Sequence, residues 1–433
     1  SELRSYDRAG RLTGIRNVKG LTHLSYSLLT LDAVGNPTTW ASDAGATAYT
    51  YDNMDRVTEA CYTTTCSDFI RYTYDEVGNR LTQDKPGEST TYSYDLADRI
   101  QWRFVSQGPT GTNYVYTHDD NGNQTAAGTT SYSYDLANRL KGATVGGSTT
   151  TYSYDGDGKR LQASTGAQPS QKTNYLWDRA NQLPQLALER DGNNALLRRY
   201  VNGHDLISMT SGGADYYYLH DSIGSVVNLT SASGAAQWTY RYQPFGLAKT
   251  ETQNDPGAPA NLMRFTGELY DTATSLYHLR ARQYDPTIGR FLQTDPMEPA
   301  IKDPFVAAYV YVNNRPTMMV DPSGMRGLFE GGPFPLAIIQ LPPFIPPILP
   351  WQWGEWFYED RHCPARWELL RDYVDRLSVW FEDHNNRVLD GELPNGLLLD
   401  SSWFARTVGT SGYFHDVLDS CGDAALDWLK LQA

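Results

Sequence analysis

Little in this sequence points to a metal, a nucleic acid or a membrane. Only four of its 433 residues are cysteine. They fall into two pairs, Cys61 with Cys66 and Cys363 with Cys421, and no histidine accompanies either pair at zinc-ligand spacing. Disulfides in an oxidising compartment and buried free thiols are both compatible with these pairs. No P-loop, H-E-x-x-H or C-x-x-C motif is present, so neither a cofactor nor a metal is expected. Basic excess is also lacking. The formal net charge is −14, which repels phosphate backbones, and nucleic acid is not expected as a partner. The most apolar stretch, GGPFPLAIIQLPPFIPPILP (331–350), is broken by proline too often for a transmembrane helix and reads as an extended, polyproline-like strap. The chain opens SELRSYDRAG, without a starting Met or the apolar core of a signal peptide, as a piece of a longer protein would.

Tyrosine and glycine are what the sequence has in quantity. Thirty Tyr and 37 Gly suit twisted strands joined by tight turns, and the bulk of the chain reads as all-β. A repeat supplies both residues: YDRAGRLTGI (6–15), YDNMDRVTEA (51–60), YDEVGNRLTQ (74–83), YDLADRI (94–100), HDDNGNQTAA (118–127), YDLANRLKGA (134–143) and YDGDGKRLQA (154–163), with a weaker copy at 31–38. Each unit places alternating residues such as TYSYD on a strand, follows with an Asp turn, and returns on a short Leu/Val/Ile strand. One hairpin cannot bury its own apolar face, so successive hairpins must join into a continuous sheet, which twists and coils.

The Tyr-Asp units resemble the YD/RHS repeats of rearrangement-hotspot proteins, of toxin-complex C subunits and, more distantly, of teneurins. The stretches YYYLHDSIGSVVNLTSASGAAQWTYRYQPFG (216–246), RFTGELYDTATSLYHLRARQYDPTIGRFLQTDP (264–296) and YVYVNNRPTMMVDPSGM (309–325) resemble, in order and spacing, the RHS-associated core domain. The resemblance implies a mainly β, spiralling hairpin shell, a hollow cocoon, with a small α-rich C-terminal domain. Four parts are then expected: the repeat shell (1–215), the core domain (216–325), a Pro/Gly-rich linker (326–350) and a C-terminal effector (351–433).

Asp-Pro-x-Gly is in itself a β-turn signature. In the resembling family an Asp of this turn pairs with one from the GRF-x-x-x-DP element, in the manner of an aspartyl protease, and cuts the chain just after the motif. Matched by position, the pair is Asp321 and Asp295, with Arg290 nearby and the cut between Met325 and Arg326. Two close carboxylates share a proton, and one can then act as base while the other acts as acid. Met325 stands where the family has Leu, and Asp285 and Asp271 are the rival acids.

From Trp351 the apolar spacing turns helical, as in RWELLRDYVDRLSVWFEDHNNRV (366–388). Here His384 beside Glu382 and Asp383, and His415 beside Asp416, are the titratable candidates, each fitting a surface or capping role more readily than catalysis. Residues 326–433 carry eight Lys/Arg against sixteen Asp/Glu, a net −8, which argues against a nuclease. The resemblance makes this segment the shell's cargo. It also implies an immunity protein, a secretion apparatus such as type VI or an N-terminal delivery part, and secretion or delivery into competitor bacteria or host cells. An uncut YD-repeat surface adhesin is the alternative.

Overall fold

The computed structural model describes residues 1–180, 183–203, 205–296 and 308–325, with the backbone of 328–329. All belong to one compact unit, Ser1–Leu336. Arg326, the 331–350 strap, the expected α-rich domain, Cys363, Cys421, Asp383, His384, His415 and Asp416 lie outside the described residues.

Among these residues, 24 strands run from β1 (Glu2–Tyr6) to β24 (Ala248–Gln253) in one sheet. Each strand pairs antiparallel with its successor in the chain. The sheet does not close by pairing β1 with β24. It comes back beside its own beginning instead: Arg4 pairs with Asp205 at 2.5 Å, Lys19 Nζ reaches the Ala232 carbonyl at 2.6 Å, and Lys249 pairs with Asp68 at 2.8 Å. These contacts make a spiral of the expected mainly β class, because twisted strands added one by one must coil.

The turns show why the repeat has its spelling. In YDNMDR, Oδ1 of Asp52 accepts the amides of Met54 and Arg56, and Oδ2 holds the Arg56 guanidinium at 2.6 Å. The same pattern recurs around Asp7, Asp95 and Asp135. The residue three after each of these aspartates is left-handed, as at Gly10 (φ 76°), Asp55 (60°), Asp98 (58°) and Asn138 (59°), which explains why Gly, Asn or Asp stands there.

The units are also tied to one another. Arg56 Nη1 reaches forward to the Asp75 carbonyl at 2.7 Å, and Asn79 Nδ2 to Asp98 Oδ1 at 2.7 Å. The repeat tyrosines reach back, Tyr74 to the Val57 carbonyl, Tyr94 to Arg80 and Tyr154 to Leu140, at 2.7–2.8 Å. Each ring packs into the sheet while its hydroxyl is spent on a backbone acceptor, which removes the penalty for burying it. The Cys61–Cys66 pair, left open by the sequence, is a disulfide with Cα atoms 5.1 Å apart.

A second, four-stranded sheet follows: β25 (Leu269–Asp271), β26 (Leu276–Leu279), β27 (Arg282–Asp285) and β28 (Arg290–Phe291). Its aromatic core packs Tyr277, Tyr284, Phe291 and Tyr311 together, with Tyr284 and Tyr311 centroids 4.4 Å apart. Polar side chains fasten this sheet and its flanking loops to turns along the spiral: Arg290 to Asn79 at 2.8 Å, Asn314 to the Gly78 carbonyl at 2.8 Å, Tyr309 to the Gly122 carbonyl at 2.7 Å, and Arg160 to Asp271 at 3.0 Å. The small sheet thereby braces repeats far apart in sequence.

Candidate functional site

The segment Asp321-Pro322-Ser323-Gly324 is built as one more turn of the repeat type. The Gly324 amide donates to the Asp321 carbonyl at 3.3 Å, Gly324 has φ 69°, and Asp321 Oδ1 accepts the Met325 amide at 3.1 Å and the Ser323 hydroxyl at 2.9 Å. One position differs. Four residues after the Asp, the repeats carry Arg, Asn or Lys, whereas this turn carries Met325. In the Arg and Asn repeats that side chain occupies Oδ2 of its own Asp, but Met offers no donor. Asp321 Oδ2 is instead held at 3.4 Å by Arg282 from β27.

Arg282 also reaches Asp295, at 2.9 Å. Asp321 is 2 % exposed and Arg282 3 %. The structure therefore brings the two aspartates expected from the sequence onto one buried guanidinium. Burial pushes Arg282 below the usual arginine range, and the charges of Asp295 and Asp321 pull it back up; guanidinium stays charged across the working pH range.

The tip of the β26–β27 hairpin grips the turn carbonyl by carbonyl. Arg280 Nη1 donates to Pro322 O, the Ala281 amide to Ser323 O at 3.2 Å, and Arg282 Nε to Gly324 O. Arg282 Nη1 additionally holds the Ala308 carbonyl at 3.2 Å. A Cβ added to Gly324 would collide with the Leu279 carbonyl oxygen and stand 3.0 Å from the Arg282 nitrogen, so the fit admits only glycine.

The other sequence candidates lie elsewhere. Arg290 donates to Asn79 and to the Asp98 carbonyl and lies 4.7 Å from the Tyr94 centroid and 5.5 Å from that of Tyr309; these hydrogen bonds fasten it to the shell turns. Asp271 takes Tyr152 and Arg160, and Asp285 caps the Thr287 amide at 2.8 Å with its carboxyl pushed up by burial. Sequence reasoning missed Arg282, Arg280 and Glu268. The only available signal was the R-A-R spelling at a hairpin tip, which by itself is an ordinary basic turn. Among the described residues no cluster of three His, Cys, Asp or Glu could hold a metal, and no helix is long and apolar enough to cross a membrane.

Parts of the chain are similar to known proteins. The chain is 32% identical over 214 residues to the tRNA3(Ser)-specific nuclease WapA of Bacillus spizizenii, covering 48% of this chain and 9% of that protein. It is 29% identical over 197 residues to a probable deoxyribonuclease RhsB of Dickeya dadantii, covering 43% and 13%, and 30% identical over 149 residues to teneurin-1 of Gallus gallus, covering 34% and 5%. The matches thus span about a tenth of the length of these relatives. Among solved structures, TcdB2-TccC3 aligns over 75% of this chain and 21% of that one with a TM-score of 0.39 and 21% identity. Residues 35–317, well over half the chain, match the teneurin YD-shell model, and the chain belongs to that family of RHS/YD-repeat shell proteins.

Proposed function

We propose that this shell protein cuts its own chain between Met325 and Arg326 and releases the segment from Arg326 onward as a toxic effector. The observation that carries this reading is the sharing of Arg282 by Asp295 and Asp321, 2.9 and 3.4 Å away. Two carboxylates converging on one guanidinium in a largely buried cluster repel each other, because low-dielectric surroundings screen like charges poorly. A single proton shared by the pair removes that repulsion.

That protonation state supplies both halves of peptide hydrolysis. The ionised carboxylate takes a proton from water, whose oxygen attacks the Met325 carbonyl carbon while the protonated carboxyl donates to the carbonyl oxygen. Collapse of the tetrahedral intermediate breaks the C–N bond: the Arg326 nitrogen leaves with the proton that the first carboxylate took from water, and a hydroxyl of the intermediate returns its proton to the second carboxylate, which restores the pair. Because the Asp321 carboxylate already sits 3.1 Å from the Met325 amide nitrogen, base and substrate belong to one turn and the reaction is a single turnover at high effective molarity.

The names of the relatives support an exchangeable effector: a tRNA nuclease, a probable deoxyribonuclease and a double-stranded DNA deaminase toxin all resemble this chain over part of their length. Their nucleic-acid targets contrast with the net −8 of residues 326–433, which favours a target other than nucleic acid here. The reading includes delivery into competitor bacteria or host cells by a secretion apparatus or N-terminal delivery part, and an immunity protein in the producer. The test is the denatured mass of the full chain beside Asp295→Asn and Asp321→Asn. Two fragments from the wild type and one intact chain from each variant support self-cleavage; an intact wild type leaves an adhesive or structural shell as the better reading.

A further inference from the structure

We infer that Arg280, anchored by Glu268, is a positioning residue that holds the Asp321–Gly324 turn so that Asp321 meets Asp295 at Arg282; this inference rests on the self-cleavage reading above. Arg280 occupies the first position of the two-residue turn between Leu279 and Arg282, with φ +52°, where glycine would be unstrained. An arginine held there is retained for its side chain and not for the turn.

Two nitrogens of that side chain are engaged. Nη1 contacts both Glu268 oxygens at 2.8 Å and the Pro322 carbonyl, and Nε holds the Pro184 carbonyl at 2.8 Å. Glu268 is itself 7 % exposed and follows a tight turn in which the Arg264 amide donates to its carbonyl at 3.0 Å. The carboxylate therefore fixes the guanidinium, and the guanidinium fixes the carbonyl next to Asp321. Without the pair, Pro322 loses its clamp while the Ala281 and Arg282 contacts to Ser323 and Gly324 remain. Burial pushes the Glu268 carboxyl up, Arg280 opposes that, and the charge of Asp321 pushes in the same direction as burial, so the two acids sense each other.

The experiment follows fragment formation with time after cell-free synthesis of the full chain, for the wild type, Arg280→Gly, Arg280→Lys and Glu268→Gln. Arg280→Gly should slow cleavage about tenfold or more and also lower the melting temperature, because it leaves Glu268 buried without its cation; combined with Glu268→Gln it should regain stability but not rate, and Arg280→Lys should recover part of the rate. Glu268→Gln should move the alkaline limb of the pH–rate profile to lower pH. Among the described residues, Arg280, Arg282, Asp295, Glu268 and Tyr311 are the charged and titratable groups around Asp321 and its turn, and this change removes an anion from among them while keeping Arg280. In an Asp295→Asn background, which stays intact on the self-cleavage reading, Arg280→Gly should also speed hydrogen exchange at the Met325 amide. Wild-type cleavage with an unaffected Arg280→Gly rate overturns the positioning role alone. An uncut wild type overturns the self-cleavage reading and this inference with it.

Discussion

Gly324 lies against Leu279 with no space for a side chain: a Cβ on Gly324 would meet the Leu279 carbonyl oxygen, a main-chain atom that cannot rotate away. This contact seats the Asp-Pro turn on the β26–β27 hairpin and sets Asp321 opposite Arg282. Gly324→Ala adds overpacking to a residue at φ 69°. The expected cost is about 2–3 kcal/mol of stability, with displacement of the turn. Thermal unfolding and fragment analysis of the variant check it, and wild-type values for both would contradict the contact.

Arg282 separates charge from geometry. Arg282→Lys keeps a cation, but a single ammonium cannot hold Asp295, Asp321, Gly324 O and Ala308 O together; the proposed self-cleavage should slow about tenfold or more. Arg282→Met takes the cation from between two acids and should destabilise the protein by about 3–5 kcal/mol at neutral pH. Part of that loss should return below about pH 4, where carboxyls take up protons. Denaturant unfolding at neutral pH and at about pH 4 measures both effects.

Buried and half-buried histidines make the fold sensitive to mild acid. Burial pushes His118 down to about 4, helped by the charge of Arg99, while burial also pushes His220 and His278 down. An unfolded chain binds these protons near the ordinary histidine value of about 6.5. The contribution to stability is therefore complete above that pH and is lost as pH falls towards about 4. The melting temperature should drop between about pH 7 and pH 5. His118→Gln should reduce the drop, because the ring meets Tyr309 edge-on at 6.1 Å without a required charge.

Asn79 joins two repeats to the small sheet. It donates to Asp75 and Asp98 at 2.9 and 2.7 Å and accepts from Arg290 at 2.8 Å. Asn79→Ala strips a buried guanidinium of a partner, and a loss of about 2–3 kcal/mol is expected. Hydrogen exchange should quicken at β28 as well as in the turns at Asp75 and Asp95. A change confined to the Asp75 turn would show that the brace carries no load.

The sequence alone was enough to identify the repeat, the mainly β class and the family, because each unit completes its own chemistry within a single hairpin. A tyrosine on a strand, an aspartate that caps its own turn and a left-handed Gly, Asn or Asp three positions later are local requirements, visible wherever they recur. Asp295 and Asp321 could be named in the same way, through motifs that surround each of them. Arg282 could not, since nothing near it in the chain sets it apart from Arg290, which lies beyond the turn at Asp285 and belongs to the quoted GRF triplet. Which arginine meets the aspartates depends on how the hairpin tip docks on the turn. That is decided by contacts across long stretches of chain, Arg282 with Asp321, 39 positions on, and Leu279 with Gly324. Local hydrogen bonding writes the repeat into the sequence, whereas the site arises only when tertiary packing brings buried charges within reach of one another.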